Sequence, residues 1–246
     1  MTIETERVRI QVAGEAQTMM GYLARPISPG PHPAVIVLQE IFGVNAHIRD
    51  VTERVAKEGY VAIAPDYHHR AAPEQELDYT PEGMQKGMKV IPLLTQEGVH
   101  ADLQATISFL QARKDVRGDR LGCIGFCIGG HVAYLAAEKF PLRATASFYG
   151  GGIATFTPGG GRPTVEKTAE IKGKIVCLFG RDDKQISPDQ VETIRRALTE
   201  HHVRHEVVVY DGADHGFFCD RRASYHPASA ADAWQRVKRL FNEELA

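Results

Sequence analysis

The chain opens on an alternating pattern and then changes to solid apolar runs. Residues 5–13 alternate polar and apolar side chains, as do residues 17–25, with Gly14-Glu15-Ala16 between them. Alternation with a period of two marks strands with one solvated face, so these two stretches predict an antiparallel hairpin. Beyond Pro33 the runs become continuously apolar: Ala34–Leu38, Tyr60–Ala64, Arg120–Ile124, Ala144–Tyr149, Lys174–Phe179 and Val207–Tyr210. Strands buried on both faces look like this, as in parallel sheets. Between them lie stretches with helical periodicity, over roughly 46–58, 98–114, 129–139, 188–201 and 228–244. The alternation predicts one α/β domain over residues 1–246: a mostly parallel central sheet, helices on both faces and the antiparallel hairpin at its start. Segments 67–95 and 150–163 break the rhythm. The first begins polar and continues through prolines and glycines; the second is glycine-rich and holds Pro158 and Pro163. Both are excursions from the sheet, of a kind that is often functional.

Glycine and cysteine placement adds chemistry. Gly125-Phe126-Cys127-Ile128-Gly129-Gly130 follows one buried run and opens a helix. This is the strand–turn–helix setting of the Gly-x-Ser-x-Gly nucleophile elbow of α/β-hydrolases, with cysteine in place of serine. The turn is tight enough to require small residues on both sides. The first amides of the following helix favour a thiolate and a developing oxyanion. Such a nucleophile needs a base and an orienting carboxylate. Downstream, Asp182 and Asp183 follow the Lys174–Phe179 run, and His215 follows the Val207–Tyr210 run, flanked by glycines. All fall at one edge of the predicted sheet. Among the eleven histidines, His68, His69, His201, His202 and His205 read as solvated and His131 as a helix-face residue. The loop after Ala34–Leu38 offers the Ile41 backbone N–H as a second oxyanion donor beside that of Ile128.

Composition narrows the classes. The 246 residues are 43% hydrophobic and 24% charged, ordinary globular values, with a formal net charge of −2 and no long run of one sign. That gives no electrostatic reason to expect nucleic acid or an anionic membrane as partner. No signal peptide or spanning helix is visible, so a cytoplasmic protein with free thiols is expected, with Cys123 and Cys177 as small buried hydrophobes. The Cys and His spacings match no zinc signature, and no metal or cofactor is expected.

Four motifs together resemble the dienelactone hydrolase (carboxymethylenebutenolidase) family: Gln39-Glu40-Ile41-Phe42-Gly43, the Cys127 elbow, Gly180-x-x-Asp183-x-x-Ile186, and Gly212-Ala213-x-His215-Gly216-Phe217. The resemblance runs from about residue 5 to the C-terminus and selects Asp183 over Asp182. It implies a Cys127–Asp183–His215 triad and a Glu40 that contacts the resting thiol. It also implies a small lactone or ester substrate bearing a carboxylate, held by arginines and lined by Phe42 and Tyr149. Arg70 matches the first clamp. At the second, four residues past His215, stands Cys219; Arg221 and Arg222 follow two and three residues later. A thiolate leaves more easily than an alkoxide, so activated esters and enol lactones suit it better than amides. The alternatives are a general small-ester carboxylesterase and a redox-sensing or binding member of the fold.

Overall fold

The computed structural model describes all residues 1–246. One eight-stranded sheet runs through it, built from β1 (Ile3–Gln11), β2 (Thr18–Pro26), β3 (His32–Leu38), β4 (Val61–Pro65), β5 (Val116–Phe126), β6 (Ala144–Phe148), β7 (Lys174–Gly180) and β8 (His205–Tyr210), in spatial order 1-2-4-3-5-6-7-8. β1 pairs antiparallel with β2, and β2 antiparallel with β4; every other pairing is parallel. The expected hairpin and parallel core are therefore both present, and β5 is longer than its apolar run alone predicts.

The helices are α1 (Ala46–Lys57), α2 (Pro81–Met88), α3 (Gln96–Gln111), α4 (Ile128–Lys139), α5 (Pro188–Glu200) and α6 (Pro227–Leu245). Alternation along the central strands decides where they pack. Val35, Val37 and Ile124 face one side with α1 and α6 residues such as Val51 and Phe241; Ile36, Leu38 and Cys123 face the other with Leu103 of α3 and Val132 of α4. Both faces are buried, which is why β3 and β5 carry no polar–apolar alternation near their C-terminal ends. None of the helices is long and apolar enough to cross a membrane.

The two excursions take definite shapes. Residues 67–95 contain α2, a short helix carrying Gly83 and Gly87 that was not foreseen in the sequence; Thr80 caps it by accepting from Gly83 N at 3.1 Å. This excursion packs back on the loop after β3. A Cβ on Gly43 would fall 1.7 Å from the Gln75 carbonyl oxygen, and one on Gly87 would fall 2.7 Å from that of Ile41. Residues 150–163 are held by His131, which is fully buried: Nδ1 lies 2.9 Å from the Gly151 carbonyl and Nε2 lies 2.7 Å from Thr164 Oγ1. His68 and His69, expected in solvent, are buried as well, because the excursion covers them.

Asn45 joins a helix cap to the first excursion. Its Oδ1 accepts from Ile48 N at 3.2 Å, and its Nδ2 donates to the Leu77 carbonyl at 3.2 Å. Asn45→Ala removes both bonds and should lower the unfolding free energy by about 1–2 kcal/mol in urea titrations.

Candidate active site

The site starts from a backbone constraint at the end of β5. Cys127 is the N-cap of α4 and has φ 57° and ψ −121°, a left-handed conformation that costs a non-glycine residue about 1–3 kcal/mol. Neighbouring backbone leaves no room for side chains beside it. A Cβ on Gly125 would fall 1.9 Å from the Gly129 carbonyl oxygen; one on Gly129 would fall 2.4 Å and 2.5 Å from those of Leu38 and Gln39. One on Gly130 would fall 2.5 Å from that of Phe148. The turn is thus wedged between the ends of β3 and β6, and Cys127 N donates to the Phe148 carbonyl at 3.0 Å. Cys127 is the one cysteine of the four that is partly exposed.

Two loops at the same sheet edge bring a base and an acid. Asp183, after β7, is buried; its Oδ1 accepts from Gln185 N at 2.8 Å, which leaves Oδ2 for His215 Nδ1 at 2.8 Å. Asp182 is exposed and makes no such bond. His215 is buried after β8, its ring 5.1 Å from that of Tyr149. Burial works against protonation of the imidazole. The Cys127 sulfur and the bond to Asp183 outweigh it and lift its pKa to about 10. The sulfur therefore acts on the ring, although Nε2 makes no hydrogen bond of ordinary geometry. Catalytic contacts in a ligand-free enzyme are often loose in this way.

Above Cys127, neither the Ile41 nor the Ile128 N–H donates to a backbone carbonyl. Ile41 follows the two carbonyls that Gly129 packs against, so its loop is held against the start of α4. Glu40, in that loop, is fully buried: Oε1 accepts from Arg222 Nη1 at 3.1 Å, and Oε2 has no partner. Arg222 lies over the rings of Phe42 and Tyr79, at 5.8 Å and 5.6 Å, within cation–π range. Gly216 makes this approach possible, since a Cβ there would fall 2.5 Å from Arg222 Nη1. A cleft of about 480 Å³ opens here, with Phe42, Tyr79, Met84, Gln185, His215 and Arg222 on its walls. Arg221 also lines it, but does not pair with Glu40. The Tyr149 hydroxyl is buried without a partner, and its backbone has φ 36°.

Arg70 is not in this assembly, contrary to the sequence expectation. Its Nη1 and Nη2 bond bidentately to the buried Asp102 at 2.6 and 2.8 Å, and Glu15 takes the remaining donors. Asp102, on α3, also meets His69 Nε2 at 3.0 Å. A fully buried carboxylate demands such partners, so Arg70 is committed to closing a structural ion-pair network. Tyr79 was missed in the sequence. Its only signal was a polar aromatic inside an otherwise unreadable excursion, and its role depends on where that segment folds back.

A sequence model of the dienelactone hydrolase family matches residues 19–245. A Synechocystis protein named as a candidate carboxymethylenebutenolidase is 48% identical over the full length of both chains. A Bradyrhizobium protein named as a candidate 2-oxo-3-(5-oxofuran-2-ylidene)propanoate lactonase is 34% identical, covering 96% of this chain and 93% of its own. A crystal structure of a candidate dienelactone hydrolase from Klebsiella pneumoniae superposes with a TM-score of 0.88 at 37% identity, covering 98% of this chain and 99% of the other.

The raised pKa of His215 has a sign that can be tested. The folded value exceeds the unfolded value of about 6.5, so the stability contributed by the imidazolium is complete below pH 6.5. It is lost as pH rises toward about 10. Cys127→Ala removes the largest raising influence. The His215 ring should then titrate at lower pH by NMR, and unfolding free energy should fall less between pH 6.5 and 10 than in the wild type. With the elbow, the buried acid–base pair and these relatives taken together, the chain belongs to the dienelactone hydrolase family of α/β-hydrolases.

Proposed function

We propose that the protein hydrolyses lactones or activated carboxylic esters through an acyl thioester on Cys127, and that its preferred substrates carry a carboxylate. The observation that carries the reading is the strained elbow presenting a partly exposed sulfur beside the buried His215–Asp183 pair. In the proposed cycle the Cys127 thiolate attacks the carbonyl carbon. The Ile41 and Ile128 amides receive the developing oxyanion, each such donor typically worth about 3–4 kcal/mol. The carbonyl–oxygen bond of the ester then breaks, and the proton on His215 Nε2 passes to the departing oxygen. His215 next takes a proton from water as that water attacks the thioester. The sulfur leaves, and the acid product is released. Asp183 keeps the Nδ1 proton in place throughout, so that Nε2 is the working nitrogen.

Arg222 supports the carboxylate preference. It lines the cleft beside His215, and it is already paired with a carboxylate, that of Glu40. A substrate carboxylate can exchange for Glu40 in that pair and leave Glu40 free beside Cys127. Phe42 and Tyr79 hold the guanidinium in place during the exchange, and Tyr149 lines the wall next to His215. Arg221 stands at the cleft rim, as a surface charge. Four free thiols suit a reducing compartment such as the cytoplasm.

Kinetics on a dienelactone, a neutral enol ester and a carboxylate-bearing enol ester test the reading. Cys127→Ala should lower kcat/KM at least about a thousandfold on all of them. Arg222→Met should lower it about ten- to a hundredfold on the anionic substrates, and by much less on the neutral one. Equal losses on both ester types would leave the cysteine mechanism standing but remove the carboxylate preference, in favour of a general esterase.

A further inference from the structure

Cys219 stands where the family resemblance puts an arginine, and the structure gives it different neighbours. It is fully buried, and its sulfur lies with a nitrogen of His47 and a carboxylate oxygen of Asp220 in one group, all within 4.8 Å of one another. His47 Nδ1 is 3.9 Å from Asp220 Oδ1. His47 comes from the first turn of α1 and is 1% exposed, yet neither of its ring nitrogens has a hydrogen-bond partner. A buried imidazole left unbonded on both sides is uncommon and calls for a cause. A separate cavity of about 330 Å³, lined by Asn45, His47, Tyr79 and Arg221, opens beside it.

We propose that His47, Cys219 and Asp220 form a site for one Zn2+ ion, distinct from the Cys127 centre. Thiolate, imidazole and carboxylate are the three donor types that zinc accepts, and the adjoining cavity leaves room for water as a fourth ligand. Donors at about 2.0–2.3 Å from the ion lie about 3.3–3.6 Å apart in a tetrahedron. His47 Nδ1 and Asp220 Oδ1, 3.9 Å apart, must therefore close by about 0.5 Å, and Asp220, whose side chain is 57% exposed, is free to supply that movement. Glu40, Asp50 and Asp220 favour a cation at His47; Arg54 opposes one, and its guanidinium is engaged over the rings of Trp234 and Phe218 at 4.7 Å and 4.9 Å. The other comparable grouping, Glu15, His69 and Asp102, already holds the Arg70 guanidinium and has no place for an ion. No spacing rule could find the His47 site, because its histidine and its cysteine come from opposite ends of the chain.

Co2+ is the probe, since it enters zinc sites and a thiolate–cobalt bond gives charge-transfer absorption in the near ultraviolet. The background is Cys127→Ala, which removes the exposed thiol. Titration of that protein should produce the band with one equivalent of Co2+, and Zn2+ should displace it. Adding Cys219→Ser should abolish the band. Adding Asp220→Asn, an exposed change that leaves the fold intact, should weaken Co2+ binding at least about tenfold. Absence of the band, its survival in Cys219→Ser, or unchanged affinity in Asp220→Asn would each overturn the site. The Asp220 variant decides the matter if Cys219→Ser does not fold. None of these readouts depends on hydrolysis, so the site and the proposed reaction fail separately.

Discussion

Everything at the functional edge of this protein depends on one tight crossing of backbone. At the end of β5 the chain turns into α4 through a cysteine held at positive φ, and three glycines let that turn press against the carbonyls of β3 and β6. The strain at Cys127 is held because the two flanking strands are part of the buried core and cannot yield. In return the turn leaves the sulfur partly exposed at the N-terminus of α4. It also fixes the loop that carries Glu40 and Ile41, since Gly129 packs directly on that loop's first carbonyls. A larger residue at 125, 129 or 130 would push three strands apart, which is a stronger demand than the chemistry alone would make.

The remaining groups are arranged by charge rather than by shape. Glu40 is fully buried and pairs with Arg222; Arg222 must cross Gly216 to reach it, and the rings of Phe42 and Tyr79 flank it. His215 sits between the Cys127 sulfur and Asp183, which raise its pKa against the pull of burial. In the proposed cycle, the His215 imidazolium is the acid that protonates the leaving group. The excursion over residues 67–95 matters because it seals this arrangement: Tyr79 and Met84 form a wall, and Gly43 and Gly87 let the segment lie flush on the Ile41 loop.

What could be read in the sequence divides along physical lines. The strands and the five long helices announced themselves because burial on both faces leaves a continuous apolar run and burial of one stripe a helical period, and their ends agree with the structure to within a few residues apart from the early start of β5. The elbow and His215 were legible because each sits directly after a strand and is bounded by glycine; Asp183 was separated from Asp182 only by the family resemblance. Helix α2 was not legible, since it is only 8 residues long and carries two glycines. Arg70 was misjudged for a related reason. Local sequence shows an arginine after a strand, but its partner Asp102 lies on α3, and only the folded chain shows that a buried carboxylate has claimed it. Arg221 and Arg222 could not be separated by spacing; the bare Cα of Gly216 opens the path for Arg222.

The central claim is that acyl transfer passes through the Cys127 sulfur. It is tested most directly by quenching a His215→Ala variant after exposure to an activated enol ester and mapping its peptides by mass spectrometry. The variant keeps the nucleophile and lacks the base that would free it, so the account predicts one acyl group, attached as a thioester to the peptide containing Cys127. Hydrolysed ester with no adduct on Cys127, or an acyl group found on another residue, would contradict it.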